Sequence, residues 1–111
     1  MNKNSSESAK TLIRLCLKAG KENRTSRSTL RQLTGLCDRT NRLLIEEMRS
    51  EGIMICSNSQ SNGYWYPTKI SEVKHYINEM RKRSSGTDGK AMTAELWLID
   101  HSGGLEHDDN V

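Results

Sequence analysis

Long apolar runs are missing from this sequence of 111 residues, of which only 33% are hydrophobic. A membrane-spanning helix needs about 20 consecutive apolar residues, and no apolar signal segment follows residues 1–5. We therefore expect no membrane partner and a cytoplasmic location. A chain this short and polar buries one modest core, so part of it is expected to stay unpacked.

Cysteine is sparse, and Cys16, Cys37 and Cys56 stand at wide spacing without a CxxC pair or a nearby histidine. Zinc sites need four ligands, which usually come in closely spaced pairs. The sequence therefore gives little support to a metal site. We interpret the three thiols as reduced groups that act as small core hydrophobes.

Catalytic and nucleotide-binding motifs are missing as well. His75, His101 and His107 lie far apart in the sequence, and none belongs to a motif with an aspartate and a serine or cysteine nucleophile. The stretch 86–90 contains two glycines and a lysine but is too short for a phosphate-binding loop. The sequence therefore predicts a protein that is not an enzyme and needs no cofactor.

The net charge of +3 is divided unevenly along the chain. Residues 1–83 carry 16 Lys and Arg against 8 Asp and Glu, whereas residues 84–111 carry one Lys against 6 acids. A basic body joined to an acidic tail is typical of a polyanion-binding domain with a separate appendage. A surface that merely happens to be basic would give the same counts, so charge alone leaves both interpretations open.

Helical spacing of apolar residues predicts a first helix over residues 7–19, capped by Ser5 or Ser6 and ended by Gly20. Its apolar stripe consists of Ala9, Leu12, Ile13, Cys16 and Leu17. The basic residues expected to fall away from that stripe are Lys10, Arg14, Lys18 and Lys21. Residues 21–27 follow as a polar connection without a hydrophobic pattern.

Two further helices are predicted on either side of a sharp turn at Gly35. Ser28 is expected to cap the short one, with Leu30 and Leu33 on one side. Asp38 is expected to cap the other, which covers residues 39–51. Spacing of i, i+3, i+4 and i+7 gives the second of these helices a buried seam of Asn41, Leu44, Ile45 and Met48.

Strand-like spacing follows Gly52, and residues 53–57 and 64–66 are predicted to form a β-hairpin with a polar loop. Tyr64, Trp65 and Tyr66 could hold single-stranded bases by stacking. A short hairpin, however, needs large residues to pack on its helices, so we favour a core role for these aromatics.

The remaining sequence predicts a helix over residues 72–83, capped by Ser71, with Ile70, Val73, Ile77 and Met80 facing inward. The predicted organisation is a disordered N-terminus (1–6), a folded domain (7–83), a linker (84–90) and a C-terminal appendage (91–111). The appendage is expected to form one short helix over residues 91–100, followed by a mobile acidic tail.

The predicted order of helix, short helix, tight turn, helix, hairpin and helix resembles winged helix-turn-helix proteins of bacterial regulators and of phage replication or regulatory genes. The resemblance covers about residues 8–83 and rests on the segments 28–36, 39–55 and 62–67. It implies an α+β, mainly α fold with a three-helix core, a two-stranded hairpin wing and a following helix. Asn41 departs from the pattern, since family members usually carry an apolar residue there.

B-form DNA admits one α-helix into its major groove, and the N-terminal turns of that helix reach the base edges. Opposite the buried seam of the helix 39–51, we expect Arg39 and Arg42 to donate to guanine, and Thr40 to reach phosphate or a base edge. Leu43 could contact a thymine methyl group. The simpler interpretation is that the two arginines belong to a solvated helix face and that Leu43 belongs to the core.

Phosphate contacts are expected from donors around the second helix, whose backbone N–H groups favour an anion. These donors are Ser28, Thr29 and Arg31, preceded by Arg24, Thr25 and Arg27. The wing loop offers Asn58, Gln60 and Asn62 but no lysine or arginine. An uncharged wing weakens the usual picture of a basic wing that grips the DNA backbone, although its side chains can hydrogen-bond phosphate.

The leading hypothesis is therefore a double-stranded DNA-binding protein that acts in transcription regulation or replication. A protein–protein interaction module that docks on a host or replication partner is the alternative. A third interpretation has the acidic tail occupying the basic face of the domain. Residues 91–100 could mediate a homodimer or fold back on their own domain, and the sequence leaves both interpretations open.

Overall fold

The computed structural model of the protein describes residues 3–57, 63–83 and 89–106. Its elements, in chain order, are α1 (Lys3–Cys16), the 3-10 helix η1 (Lys21–Asn23), β1 (Thr25–Ser26), α2 (Arg27–Thr34), α3 (Asp38–Ser50), β2 (Cys56–Ser57), β3 (Gly63–Trp65), α4 (Ile70–Arg83), α5 (Gly89–His101) and the 3-10 helix η2 (Ser102–Gly104). The fold is α+β and mainly α, as predicted. None of the helices within these ranges is long and apolar enough to span a membrane.

The sheet has three antiparallel strands in the order β1-β3-β2, so the prediction of a two-stranded hairpin is incomplete. Thr25 in β1 pairs with Tyr64 in β3, and Cys56 in β2 pairs with Trp65. A strand of two residues shows no alternation in sequence, which is why β1 lay inside the predicted polar connection. Its Thr25 is buried and donates from Oγ1 to the carbonyl of Cys16 over 3.0 Å.

Helix α1 begins at residue 3 and ends at residue 16, so it is shifted toward the N-terminus relative to the predicted 7–19. Residues 18–20 instead lie beside the end of the hairpin. The N–H of Tyr66 donates to the carbonyl of Lys18 over 2.9 Å, and the N–H of Gly20 donates to the carbonyl of Tyr66 over 2.8 Å. These hydrogen bonds compete with those of a further helical turn, so α1 ends at Cys16 instead of residue 19.

The predicted caps of α2 and α3 are both wrong. Ser26 caps α2, because its Oγ accepts the N–H of Thr29 over 3.1 Å, whereas Ser28 is already helical. Helix α3 follows Cys37 as its N-cap residue and includes Asp38, whose carboxylate binds Arg27 instead of the helix end. The turn between the two helices is as predicted, with Gly35 in the left-handed conformation at φ 74°.

Two clusters of buried residues form the core. The first joins α1, α2 and α3 to the sheet and contains Ile13, Leu17, Leu30, Leu44, Ile45, Met48, Ile55 and Tyr64. The second joins the hairpin to α4 and α5 and contains Met54, Cys56, Trp65, Val73, Tyr76, Ile77, Met80 and Ala94. Tyr64 and Trp65 therefore have the predicted core role. Of the cysteines, Cys56 is buried and Cys16 half-buried, but Cys37 is exposed, against the prediction.

The predicted seam of α3 is confirmed, since all four of its residues are buried, including the polar Asn41. The Oδ1 atom of Asn41 accepts a hydrogen bond from Thr34 Oγ1 over 3.1 Å, and its Nδ2 donates to the carbonyl of Leu36 over 3.4 Å. Asn41 therefore ties α3 to the turn that precedes it, where an apolar side chain could only pack.

Lys10 does not fall away from the apolar stripe of α1 but is buried, with 6% of its surface exposed. Its position three residues before Ile13 and seven before Leu17 places it on the inner face of the helix. Its Nζ donates to Glu47 over 2.8 Å, to Glu51 over 3.0 Å and to Glu7 over 3.3 Å. These carboxylates raise the pKa of Lys10 and pair α1 with the end of α3.

Helix α4 buries the four predicted residues Ile70, Val73, Ile77 and Met80. Helix α5 is longer than predicted and packs on α4 through Ala94, Trp97 and Leu98, while Leu96 and Ile99 stay exposed.

The prediction of a mobile tail is wrong for residues 101–106. Beyond η2, the N–H of Glu106 donates to Thr68, and its carbonyl accepts the N–H of Ile70, both over 2.9 Å. The predicted linker residues 84–88 and the tail residues 107–111 lie outside the described residues.

Candidate nucleic-acid interface

The buried seam of α3 fixes the rotation of this helix about its own axis. Arg39, Arg42 and Leu43 are exposed on the outward side, and 60% of the Leu43 side chain is open to solvent. Thr40 is half-buried, and its hydroxyl lies 3.2 Å from the Sγ of Cys37. The N-terminal half of α3 therefore presents two guanidinium groups and one apolar side chain, with Thr40 turned toward the preceding turn.

Asp38 lies between arginines from two helices. Arg27, the first residue of α2, donates from Nε to Asp38 Oδ1 over 2.8 Å and from Nη2 to Oδ2 over 2.5 Å. On the other side, the Nε of Arg42 lies 3.2 Å from Oδ2 of the same carboxylate. A bidentate arginine–carboxylate pair has a defined planar geometry, so Asp38 orients Arg27 and forms an additional ion pair with Arg42.

The charges of this group are coupled. Hydrogen bonding to Arg27 holds the pKa of Asp38 below its usual range, and the positive charges of Arg42 and Arg31 act in the same direction. Two guanidinium groups thus contact one carboxylate, Arg31 acts on it electrostatically, and the exposed Arg39 adds a fourth positive charge at the position after Asp38. The surface formed by Arg27, Arg31, Arg39 and Arg42 around Asp38, here called the arginine face, remains positive after this pairing.

The exposed start of α2 adds hydroxyl groups beside the arginine face. The Oγ of Ser26 donates to Thr29 Oγ1 over 2.9 Å and lies 3.4 Å from the Oγ of Ser28. Ser28 and Thr29 are both exposed, and a hydroxyl donates one hydrogen bond while accepting others. The structure thus brings together the predicted residues of α2 with those of α3, on one side of the α2–α3 turn.

The predicted wing residues Asn58, Gln60 and Asn62 lie outside the described residues. The strand that leads into this loop is tied to α3 by Arg49. Its Nε donates to the carbonyl of Ile55 over 2.8 Å, and its Nη2 donates to Ser57 Oγ over 3.1 Å. The start of β2 is therefore held at a fixed place relative to α3.

Sequence reasoning missed the roles of Asp38 and Arg49. The signal for Asp38 was present, because Asp38 and Arg42 stand four residues apart on one helix, the spacing at which opposite charges meet. Its pairing with Arg27 depends on the angle of the α2–α3 turn, and the contact of Arg49 with the strand depends on the path of residues 52–57. Neither of these can be read from spacing alone.

The described part of the chain contains no group of three or more His, Cys, Asp or Glu side chains suited to a metal ion. The arrangement instead offers donors to an extended anion.

Comparisons with protein-family models, with curated proteins and with solved structures give no significant match to this chain.

Proposed function

We propose that this protein is a winged helix-turn-helix module that binds double-stranded DNA by inserting α3 into the major groove. The observation that carries the proposal is the division of α3 into two sides. Its seam is buried in the core, whereas Arg39 and Arg42 are exposed on its first turns. The chain order α1-β1-α2-α3-β2-β3, with β1 paired to β3, supports a winged-helix arrangement.

The arginine face contains residues suited to base contacts and residues suited to phosphate contacts. Arg39 and Arg42 project from the reading half of α3 and suit bidentate hydrogen bonds to guanine, while Leu43 suits a thymine methyl group. Arg27 and Arg31, with the hydroxyl groups of α2, suit phosphate contacts that position the helix. A role in transcription regulation or in replication follows from such sequence-selective binding.

The test is a binding selection on random duplexes with the wild type, the double variant Arg39→Ala/Arg42→Ala and a matched control. Lys74→Ala/Lys82→Ala serves as the control, because it also removes two exposed cations but from α4. The wild type and the control are expected to recover one shared motif. Loss of two bidentate contacts, at roughly 1–3 kcal/mol each, should lower the affinity for that motif by at least about 30-fold.

Two results would contradict the proposal. Equal weakening in both double variants would indicate general attraction of charge without readout by α3. Absence of any enriched motif, together with no binding at low salt, would exclude duplex DNA as the partner.

A protein–protein interaction module is the second candidate, and the exposure of Leu43 favours it. Leu43 is 60% exposed in the middle of a charged helix face, where it could pack against a protein partner as well as against a thymine methyl group. The dependence of binding on salt concentration distinguishes the two functions. DNA binding should weaken steeply as salt rises, whereas binding through Leu43 to a host or replication partner should change little.

Pairing of two copies through α5 would strengthen DNA binding by joining two half-sites. Leu96 and Ile99 lie three residues apart on α5 and are exposed to 58% and 72%, on the side that does not pack on α4. We propose this pair as the contact of a symmetric homodimer. Sedimentation should show a dimer for the wild type and for Lys82→Glu but a monomer for Leu96→Glu/Ile99→Glu; a monomeric wild type would refute the contact.

A further inference from the structure

A cavity of about 460 Å³ lies between the end of α3, the segment before β2 and helices α4 and α5. Its apolar wall is formed by Ile53, Met54, Ala94 and the rings of Tyr76 and Trp97. Small-molecule sites in proteins usually measure roughly 300–1,000 Å³ and are lined mainly by apolar and aromatic side chains. This space, here called the α3–α5 cavity, has the size and the lining of such a site.

The charged groups in the wall of the α3–α5 cavity are already matched to each other. Arg49 is 12% exposed, and its Nη1 donates to Glu46 Oε1 over 2.5 Å. The same guanidinium donates to the carbonyl of Ile55 and to Ser57, and it lies 4.8 Å from the ring centroid of Tyr76. A charged ligand would have to compete with this pair, so the wall favours an uncharged one.

The aromatic side of the cavity is held in a fixed orientation. The ring of Trp97 stacks on His101 with the centroids 4.4 Å apart and the planes inclined by 9°. Trp97 also packs against the second core cluster. An aromatic wall that is held before binding loses little freedom when a ligand arrives, and aromatic rings pair with one another in stacked or edge-to-face contacts.

We propose that the α3–α5 cavity binds an uncharged, planar aromatic small molecule, which packs between Trp97 and the side chains of Ile53 and Met54. The rim residues Ser50 on α3 and Thr93 on α5 are exposed and bound the opening from both helices. The site stands independently of DNA binding, because the arginine face belongs to the other end of α3.

The experiment uses the full chain, labelled with ¹³C, and indole as the probe. Methyl spectra should show saturable shifts for Met54 and Ala94 as indole is added. Thr93→Trp places a large ring at the rim from an exposed position and should weaken indole binding at least tenfold. Lys74→Trp adds the same ring at an exposed position of α4 that does not line the cavity and should leave the affinity within twofold of the wild type.

The preference of the cavity for an uncharged ligand is tested with two charged derivatives of indole. Indole-3-acetate carries a negative charge and tryptamine a positive one, and each should bind at least tenfold more weakly than indole. If Thr93→Trp does not fold, Ser50→Trp blocks the opening from the side of α3 instead. The proposal is overturned by shifts that never saturate in the wild type, by equal affinity in the rim variant and the control, or by equal affinity for the charged probes.

Discussion

Arg27 and Asp38 join α2 to α3 by two parallel hydrogen bonds across the turn at Gly35, from Nε over 2.8 Å and from Nη2 over 2.5 Å. The same carboxylate reaches Arg42 one turn further along α3. One aspartate therefore contacts both side chains to which we assign separate tasks, phosphate contact by Arg27 and base contact by Arg42. Local geometry and proposed function thus depend on the same pair.

The first prediction concerns pH. Because pairing lowers the pKa of Asp38 in the folded state, the pair stabilises the protein above the unfolded pKa of about 3.9. That contribution is lost as the pH falls through the lower folded value. Both side chains are partly exposed, so we expect less than about 1 kcal/mol. In Arg27→Ala, the carboxyl resonance of Asp38 should titrate at a higher pH.

Arg31→Ala is the control for this prediction, because it removes a nearby positive charge without removing a hydrogen bond to Asp38. Its effect on the pKa of Asp38 should be smaller than that of Arg27→Ala. An unchanged titration of Asp38 in Arg27→Ala would show that the pair does not persist in solution.

The second prediction concerns the charge of the arginine face. Asp38→Asn keeps the shape of the side chain and removes its negative charge, so binding to any duplex should tighten at low salt. A unit charge near phosphate contributes about 1 kcal/mol in water, which corresponds to a change of about fivefold in affinity. The gain should vanish as salt rises, because counterions screen exposed charges. Fluorescence anisotropy with a labelled duplex measures both effects.

Asp100→Asn, which removes an exposed acid on α5, is the matched control and should change the affinity much less. A folded Asp38→Asn protein that binds DNA more weakly than the wild type would mean that orientation of the arginines matters more than their net charge.

The buried faces of the helices could be read from spacing, because a period of 3.6 residues repeats several times in α3 and α4. The same spacing places Lys10 on the inner face of α1, although a lysine is expected outside. Its charge is matched by glutamates at the end of α3, and spacing cannot reveal such partners. The short strand β1 exists only because Thr25 meets Tyr64, a partner far along the chain. Helix ends were misplaced where such long-range hydrogen bonds compete with local ones.

The arginine face illustrates the same limit. Exposure of Arg39 and Arg42 follows from the seam of α3 and was predicted from sequence. The pairing of Arg27 with Asp38 depends on the angle between α2 and α3, which a glycine permits but does not specify.

The third prediction addresses that turn. Gly35 has φ 74°, and a Cβ built there meets no atom within 4 Å among the described residues. A substitution should therefore cost only the left-handed backbone conformation, about 1 kcal/mol for Gly35→Ala. Gly35→Asn should cost less, because asparagine visits this conformation more readily. Urea unfolding of the three proteins measures the difference, and equal stability of all three would refute the assigned conformation.

The last prediction concerns the buried lysine. Lys10→Met keeps the aliphatic stem but leaves the carboxylates of Glu47, Glu51 and Glu7 close together without their shared cation. The urea midpoint at pH 7 should therefore fall, because like charges repel when no cation lies between them. Lys18→Met, which removes an exposed ammonium group, should leave the midpoint almost unchanged.

Alkaline pH gives an independent check on Lys10. Because the carboxylates raise the folded pKa of Lys10, its stabilisation is fully present below the unfolded value of about 10.4 and is lost as the pH rises through the folded value. The wild type should therefore lose stability at strongly alkaline pH relative to Lys10→Met, so that the two midpoints converge. A gap that stays constant from pH 7 to strongly alkaline pH would show that the charge is not what Lys10 contributes.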